Sequence, residues 1–168
     1  VGVEFDLQSI LDALAPRGVH IFSKSFGGPE EDYLTRANVD LSGNLLLAGS
    51  FGSTLDFGRG ALTSQGVLDI YFAKFDPTGK NVFASSYGDP IGQNGVNIVG
   101  TGAGDIYAAA VFTGTITVNT GNVTATDTQF DSVILRLGPD GFIKDSFGLP
   151  GSGRQFVNGL AYDGSHGV

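Results

Sequence analysis

One stretch of the sequence occurs twice, and this repetition limits the possible folds more than any other feature. Residues 69–88 return as residues 131–148. In both copies an apolar run leads into a proline-containing turn with a glycine, and then into a second short run that ends in an aromatic–glycine pair. Two strand-like runs joined by such a turn predict a β-hairpin. The chain is therefore predicted to be a repeat protein.

The length of the repeat follows from several landmarks. The aromatic–glycine pairs end at Gly27, Gly88 and Gly148, which are almost equally spaced along the chain. The predicted turn glycines Gly43 and Gly104 are separated by the same interval. These separate landmarks agree on a period of about 61 residues, which is long enough for one supersecondary unit per repeat.

Each period is predicted to contain four strands with an excursion between the second and the third. The chain has 27 glycines, no tryptophan, and many runs of Thr, Val and Ile, which is typical of short strands joined by tight turns. The first excursion is 52–67. The predicted strands are 34–40, 44–51, 69–76 and 81–87 in one period, and 95–101, 105–112, 131–137 and 142–147 in the next.

Four antiparallel strands repeated in tandem are typical of a β-propeller blade. The predicted fold class is all-β, and the predicted architecture is a β-propeller segment of four-stranded antiparallel blades. Residues 32–88 and 92–148 are predicted as complete blades. Residues 1–31 are predicted to form the outer two strands of a partial blade, and 154–168 the start of a further one.

Two strands lack the polar alternation of a half-exposed sheet. Residues 45–48 and 106–111 are nearly continuous apolar runs, which predicts strands covered on both faces by neighbouring blades. Only 15% of the residues are charged, so part of the surface is expected to face more protein. The two partial blades are complementary, which predicts pairing with the remaining blades of a longer chain, or self-association into a ring of about six blades.

The beginning of the chain supports two interpretations. Apolar residues within 7–14 recur at helical spacing and predict a short amphipathic helix of about two turns. In the alternative, residues 16–27 overlay 77–88, so that 9–15 takes the place of a strand. The repeat register favours the strand, because a repeated unit imposes its packing on a weak local preference.

At these motifs the chain resembles a known family. Residues 26–33 (Phe-Gly-Gly-Pro-Glu-Glu-Asp-Tyr), 39–44 (Val-Asp-Leu-Ser-Gly-Asn), 55–58 (Leu-Asp-Phe-Gly) and 69–80 resemble the SBBP-type bacterial β-propeller repeat. The second blade departs from the pattern, since Thr-Gly-Ala-Gly-Asp at 101–105 replaces the Asp-x-Ser-Gly-Asn turn. The resemblance implies an extracellular or cell-surface bacterial protein whose repeat has no catalytic residues and no obligatory cofactor.

Three polar residues stand at one position of the predicted first strands. Arg36, Asn97 and Asn158 follow one another at intervals of one period. Because the innermost strands of a propeller line its central channel, these side chains are predicted to form a polar ring there. In the alternative, each side chain only satisfies the backbone of its neighbours. A carbohydrate or another small ligand bound in such a channel is the second functional hypothesis.

Charge and composition disfavour several other functions. The net charge of −8 provides no basic surface for nucleic acid, and no apolar run approaches the ~20 residues that a membrane helix needs. Without cysteine the chain has neither a disulfide nor a thiolate metal site. His20 and His166 have no serine or acid at motif spacing, which argues against a nucleophilic triad.

The remaining chemical motifs have simpler interpretations. Acids at turns and in the cluster 30–32 offer oxygen atoms to Ca²⁺, but their spacing is not that of a calcium loop. The glycine-rich segment 100–105 resembles a phosphate loop, but the repeat alignment places it at a turn. The sequence therefore predicts a non-enzymatic structural or interaction module. A propeller hydrolase or lyase would need the acids of 30–32 to converge with others in a cleft.

Overall fold

The computed structural model describes residues 3–5 and 20–164 of the chain. Across these residues the protein is all-β, without a helix, and its strands form antiparallel sheets of two to four strands. The predicted all-β class is confirmed. Both the helix predicted at 7–14 and the alternative strand at 9–15 lie outside the described residues.

The first four-stranded sheet has its strands in chain order apart from one inserted hairpin. The hairpin occupies the excursion between the second and third strands. The strands of the sheet are β3 (Asp32–Val39), β4 (Leu45–Phe51), β7 (Asp69–Phe75) and β8 (Asn81–Tyr87), and those of the hairpin are β5 (Thr54–Asp56) and β6 (Ala61–Thr63).

The second sheet repeats this arrangement, again with a hairpin between its second and third strands. Its strands are β9 (Asn94–Gly100), β10 (Ile106–Phe112), β13 (Asp131–Leu137) and β14 (Ile143–Leu149), and the hairpin strands are β11 (Thr115–Val118) and β12 (Gly121–Thr124). A separate two-stranded pair precedes both sheets and consists of β1 (Val3–Phe5) and β2 (Lys24–Phe26).

The eight predicted strands are confirmed, each within two residues of its predicted ends. Even the irregularities of the two sheets correspond. Thr35 is an extra residue in the pairing of β3 with β4, and Val96, one period later, is the extra residue between β9 and β10. Such β-bulges bend a strand and increase its twist. The two sheets are therefore equivalent in register as well as in strand order.

An apolar layer lies between the two sheets. Leu46, Ala48 and Phe72 of the first sheet pack in one cluster with Ile106 and Leu135 of the second, and all five side chains are at most 1% exposed. The opposite face of the first sheet is covered as well, because Leu45, Leu47 and Phe75 pack with Phe22 and Phe26 from the beginning of the chain. Coverage of both faces explains the continuous apolar run of β4.

The first strands of the two sheets lie beside each other. The side-chain oxygens of Thr35 in β3 and Asn94 in β9 are 3.3 Å apart. A Cβ atom on Gly95 would lie only 2.6 Å from the carbonyl oxygen of Gly49, so the backbones of β9 and β4 approach more closely than any side chain allows. The sheets therefore meet along β9, with their first strands on the same side.

The turns also repeat. Gly43 and Gly79 have φ angles of 78° and 79°, which confirms the prediction that both occupy turn positions in the left-handed region. Above the second of these turns lies the ring of Phe22, since a Cβ on Gly79 would be 2.7 Å from its Cγ. Phe83 covers Gly141 in the same way, at 2.5 Å. An aromatic residue from one unit thus packs on the turn of the next.

Candidate binding sites

The three residues predicted to line a channel differ in their surroundings. Arg36 is exposed on β3 opposite Ala48, and Asn97 occupies the equivalent place on β9 opposite Ala109, where it is 3% exposed. Asn158 is exposed and lies outside any strand. A Cβ on its neighbour Gly159 would lie 3.9 Å from the side-chain Nδ2 of Asn97, so this part of the chain passes beside β9. The polar ring stays a prediction.

The turn carboxylates bind their own backbone. Asp40 accepts hydrogen bonds from the N–H groups of Ser42 and Asn44, both at 2.9 Å. Asp76 accepts from the Thr78 hydroxyl at 2.6 Å and from the Lys80 N–H at 3.0 Å. These contacts, the hydroxyl above all, lower the pKa of Asp76. No group of three acidic or histidine side chains fits a metal ion within residues 3–5 and 20–164.

The acidic segment 30–32 is also engaged locally. Asp32 is 7% exposed and accepts a hydrogen bond from the Gly28 N–H at 2.6 Å. Glu31 accepts one from the Tyr33 hydroxyl at 2.6 Å, and this bond raises the pKa of Tyr33. Glu30 and Glu31 line one cleft of about 480 Å³, whose other lining residues are Ser53, Gly66, Val67 and Leu68. None of these four is an acid, so the lining does not supply a facing carboxyl group from another unit, which glycoside hydrolysis would need.

The histidines do not form a catalytic group in the described part of the chain. His20 Nε2 lies 2.6 Å from Ser23 Oγ, but both residues are on an exposed segment. A nucleophilic serine needs oriented donors in a site that excludes water, which an exposed segment does not supply. His166 lies outside the described residues.

Two buried aspartates, whose role sequence reasoning missed, fasten the hairpins to the sheets. Asp69 is 1% exposed and accepts hydrogen bonds from Ser64 Oγ at 3.1 Å and from the Gln65 N–H at 3.0 Å. Asp131 is 2% exposed and accepts two bonds from Thr126, at 2.6 and 2.8 Å. Both begin the third strand of a sheet, and their recurrence after one period was the available sequence signal. Their role is structural.

The glycine-rich segment 100–105 forms the turn between β9 and β10, with the Thr101 N–H donating to the Asp105 carbonyl at 2.8 Å. Its acid is used in an ion-pair network. Asp105 contacts Arg136 at 2.8 Å and Lys144 at 2.6 Å, and these cations, Lys144 first, lower its pKa. In the first sheet the acid stands at the other end of the turn, where Asp40 lies 3.7 Å from Lys74.

The most distinctive concave feature also occurs twice. In each unit a cleft opens between the hairpin tip, the turn that joins the third and fourth strands, and the last strand of the preceding unit. The first junction cleft, of about 470 Å³, is lined by Lys24, Phe57, Gly58, Arg59, Thr78, Gly79, Lys80 and Asn81. The second junction cleft, of about 400 Å³, is lined by Ser85, Ser86, Tyr87, Thr117, Val118, Asn119, Asp140, Gly141 and Phe142.

Comparison of the chain with protein-family models and with curated proteins gives no match. Over residues 3–5 and 20–164, none of the protein is a helix with the length and apolar character that crossing a membrane requires. The repeated sheets, their exposed surfaces and the two clefts are therefore the features of the protein that bear on its function.

Proposed function

We propose that the chain is a β-propeller segment of the SBBP type, which serves outside the cell or at its surface as a non-enzymatic structural and interaction module. The support is the arrangement of the two units. Both sheets have the same strand order, the same bulge position and the same inserted hairpin. They stack through an apolar layer with their first strands side by side, which is how consecutive propeller blades pack around an axis.

One observation carries the interaction role: the outer face of the second sheet is only partly covered. Phe72 of the first sheet is fully buried between the sheets, whereas its equivalent Ile134 is half-buried. On β14, Phe147 and Leu149 are 53% and 40% exposed. Exposed aromatic and aliphatic side chains on a sheet face are typical of a protein contact surface.

The occupant of this outer face is proposed to be another unit of the same kind. The same face of the first sheet is covered by a repeat of its own sequence, and a further repeat would cover the second sheet through the same geometry. Ser132 already accepts the Val157 N–H at 3.1 Å and donates to the Gln155 carbonyl at 2.9 Å, so the following segment starts along this face. The next unit comes from the rest of a longer chain or from a second copy.

Light scattering of two matched variants tests this function. Phe147 lies on the outer face, whereas Phe142, 69% exposed, lies in the turn before β14. We expect the unaltered chain to self-associate with rising concentration, Phe147→Glu to weaken that association, and Phe142→Glu to leave it unchanged. Equal behaviour of the two variants would contradict the role of the outer face, and a monomer at every concentration of the unaltered chain would contradict the pairing of this face with a second copy.

A further inference from the structure

The two junction clefts are equivalent positions of the repeat that differ in charge. Lys24 of the first cleft corresponds to Ser85 of the second, one period later. Arg59 corresponds to Thr120, next to the lining residue Asn119, and Lys80 corresponds to Phe142. The shape of the cleft is thus common to both units, whereas its three cations belong to the first.

The concentration of positive charge in the first junction cleft is unusual for this chain. The chain has 9 lysines and arginines against 17 acids, and three of those nine cations line one cleft. Arg59 is held in place by donating to the Val82 carbonyl at 2.8 Å, and the Lys24 ammonium lies 5.9 Å from the centre of the Phe75 ring. The cleft is therefore an attractive site for an anion in an otherwise acidic protein.

The acids nearest to these cations in the sequence are directed to their own turns. Asp56 accepts the N–H groups of Gly58 and Gly60, at 2.7 and 3.2 Å. Asp76 accepts the Thr78 hydroxyl and the Lys80 N–H, and its charge also weakly attracts the Lys80 ammonium. Neither carboxylate lines the cleft. The three cations consequently keep donors that a bound anion can use.

A buried amide supplies a second, independent sign of a ligand. Asn81 lines the first junction cleft, is 4% exposed, and donates through Nδ2 to the carbonyls of Phe83 at 3.1 Å and Lys74 at 3.4 Å. Its Oδ1 accepts no hydrogen bond from any described residue. The equivalent position in the second unit is Ile143, which is 2% exposed. An unpartnered buried acceptor is unfavourable, and a ligand O–H would satisfy it once binding shifts the cleft wall that shields this oxygen from solvent.

We propose that the first junction cleft binds an acidic saccharide. Its carboxylate or sulfate groups contact Lys24, Arg59 and Lys80, because charged oxygens form the strongest hydrogen bonds with lysine and arginine. Its hydroxyl groups donate to the oxygen of Thr78, which lines the same cleft and whose own hydrogen is donated to Asp76, and to Asn81 Oδ1 where binding uncovers that oxygen. This site is separate from the outer face of the second sheet, and its occupation does not depend on self-association.

Isothermal titration calorimetry on the full chain tests the site, with oligogalacturonate as the carboxylate probe and heparin oligosaccharide as the sulfate probe. Two matched control ligands each lack one feature of the probes: neutral dextran is a saccharide without charge, and sodium sulfate supplies the charged group without a saccharide. We expect at least one acidic saccharide to bind, at a stoichiometry of one and with affinity that falls as salt rises, and the neutral and inorganic ligands to bind at least tenfold more weakly. Comparable binding of dextran or of sulfate alone would overturn the proposal.

Substitutions in the cleft and in the predicted channel show which of the two sites binds the saccharide. We expect Arg59→Gln and Lys80→Gln each to weaken saccharide binding at least fivefold. Arg36→Gln removes an exposed cation at another place and should leave binding unchanged. Loss of binding in Arg36→Gln with normal binding in the other two variants would move the site to the channel and refute the cleft. Unfolding midpoints of the variants verify that each remains folded.

Transfer of the cations to the second junction cleft provides the converse test. The triple substitution Ser85→Lys, Thr120→Arg and Phe142→Lys gives that cleft the three charges of the first. We expect the stoichiometry for the bound saccharide to rise from one to two per chain. A folded triple variant that still binds at one would show that the three cations and the shared cleft shape are insufficient, and would overturn the charge-based part of the proposal.

Discussion

Replacement of Gly79 by alanine tests the junction between consecutive units. Gly79 and Gly43 occupy equivalent turn conformations, with φ angles of 79° and 78°. Alanine in the left-handed region costs about 1–2 kcal/mol at either place. The surroundings differ, however. A Cβ on Gly43 would meet Pro77 at 3.4 Å, an ordinary van der Waals contact, whereas one on Gly79 would overlap the Phe22 ring at 2.7–2.9 Å.

The extra cost at Gly79 arises from this overlap. Phe22 belongs to the segment that covers the first sheet, so its displacement disturbs packing between units. Overpacking of this kind costs about 1–3 kcal/mol. We therefore expect Gly79→Ala to lower the free energy of unfolding by about 2–5 kcal/mol, and Gly43→Ala by about 1–2 kcal/mol.

Urea unfolding of the two variants measures the difference, and a double-mutant cycle assigns it. In a Phe22→Ala background the overlap is gone, so Gly79→Ala should cost only about as much as Gly43→Ala does. The predicted coupling between Phe22 and Gly79 is about 1–3 kcal/mol. Equal costs for the two glycines in the original background, with no coupling, would refute the packing of Phe22 on this turn.

Two further predictions concern the sheets themselves. The chain has no cysteine, so the variant Thr35→Cys with Asn94→Cys should be joined by a short thiol crosslinker, because the two side-chain oxygens are 3.3 Å apart. The control variant Thr35→Cys with Ser146→Cys should not be joined, because Ser146 lies on a strand ~14 Å beyond β9. The reverse pattern would contradict the stacking of the two sheets. Asp105→Asn should lower the free energy of unfolding at pH 7 by up to about 1 kcal/mol. Because the pKa of Asp105 is lowered in the folded protein, its ionised form stabilises the fold above the unfolded-state pKa of about 3.9. This stabilisation is lost as the pH falls through the folded-state pKa. A difference from the unaltered chain that persists undiminished at pH 2 would show that the ion pairs are not its cause.

The strand positions could be predicted because they depend on local patterns that the repeat displays twice. Apolar runs bounded by glycine turns indicated all eight strands of the two large sheets. The bulges at Thr35 and Val96 were not predicted, since one extra residue in a pairing leaves no mark on composition. The inserted hairpins were seen only as excursions, because strands of three or four residues are too short to show a period.

Differences between the two repeats became interpretable only with the structure. A Cβ on Gly49 would overlap the Tyr33 carbonyl oxygen and lie 2.7 Å from the hydroxyl of Tyr71, a group whose pKa is raised by burial and which donates to that carbonyl. At the equivalent pair the second unit has Ala110 and Val133, so one of the two groups that crowd Gly49, the tyrosine ring, is replaced by a smaller side chain. Such compensation follows from close packing of the interior.

The first junction cleft could not be predicted from sequence for a different reason. Lys24, Arg59 and Lys80 are far apart along the chain, and none of them belongs to a recognisable motif. The fold of the first unit brings Arg59 and Lys80 together, and the packing of the preceding segment on that unit adds Lys24. The three residues predicted for the channel were, in contrast, found by spacing alone, and spacing does not report exposure.

We propose that these units stack as blades and that their outer faces are contact surfaces. Sedimentation velocity of the unaltered chain, combined with an apolar dye, distinguishes this arrangement from a self-contained monomer. We expect particles heavier than one chain, in a fraction that grows with concentration, and dye binding by the remaining monomer at the face around Phe147. A monodisperse, cooperatively unfolding species near 17.4 kDa that binds no dye would contradict the claim.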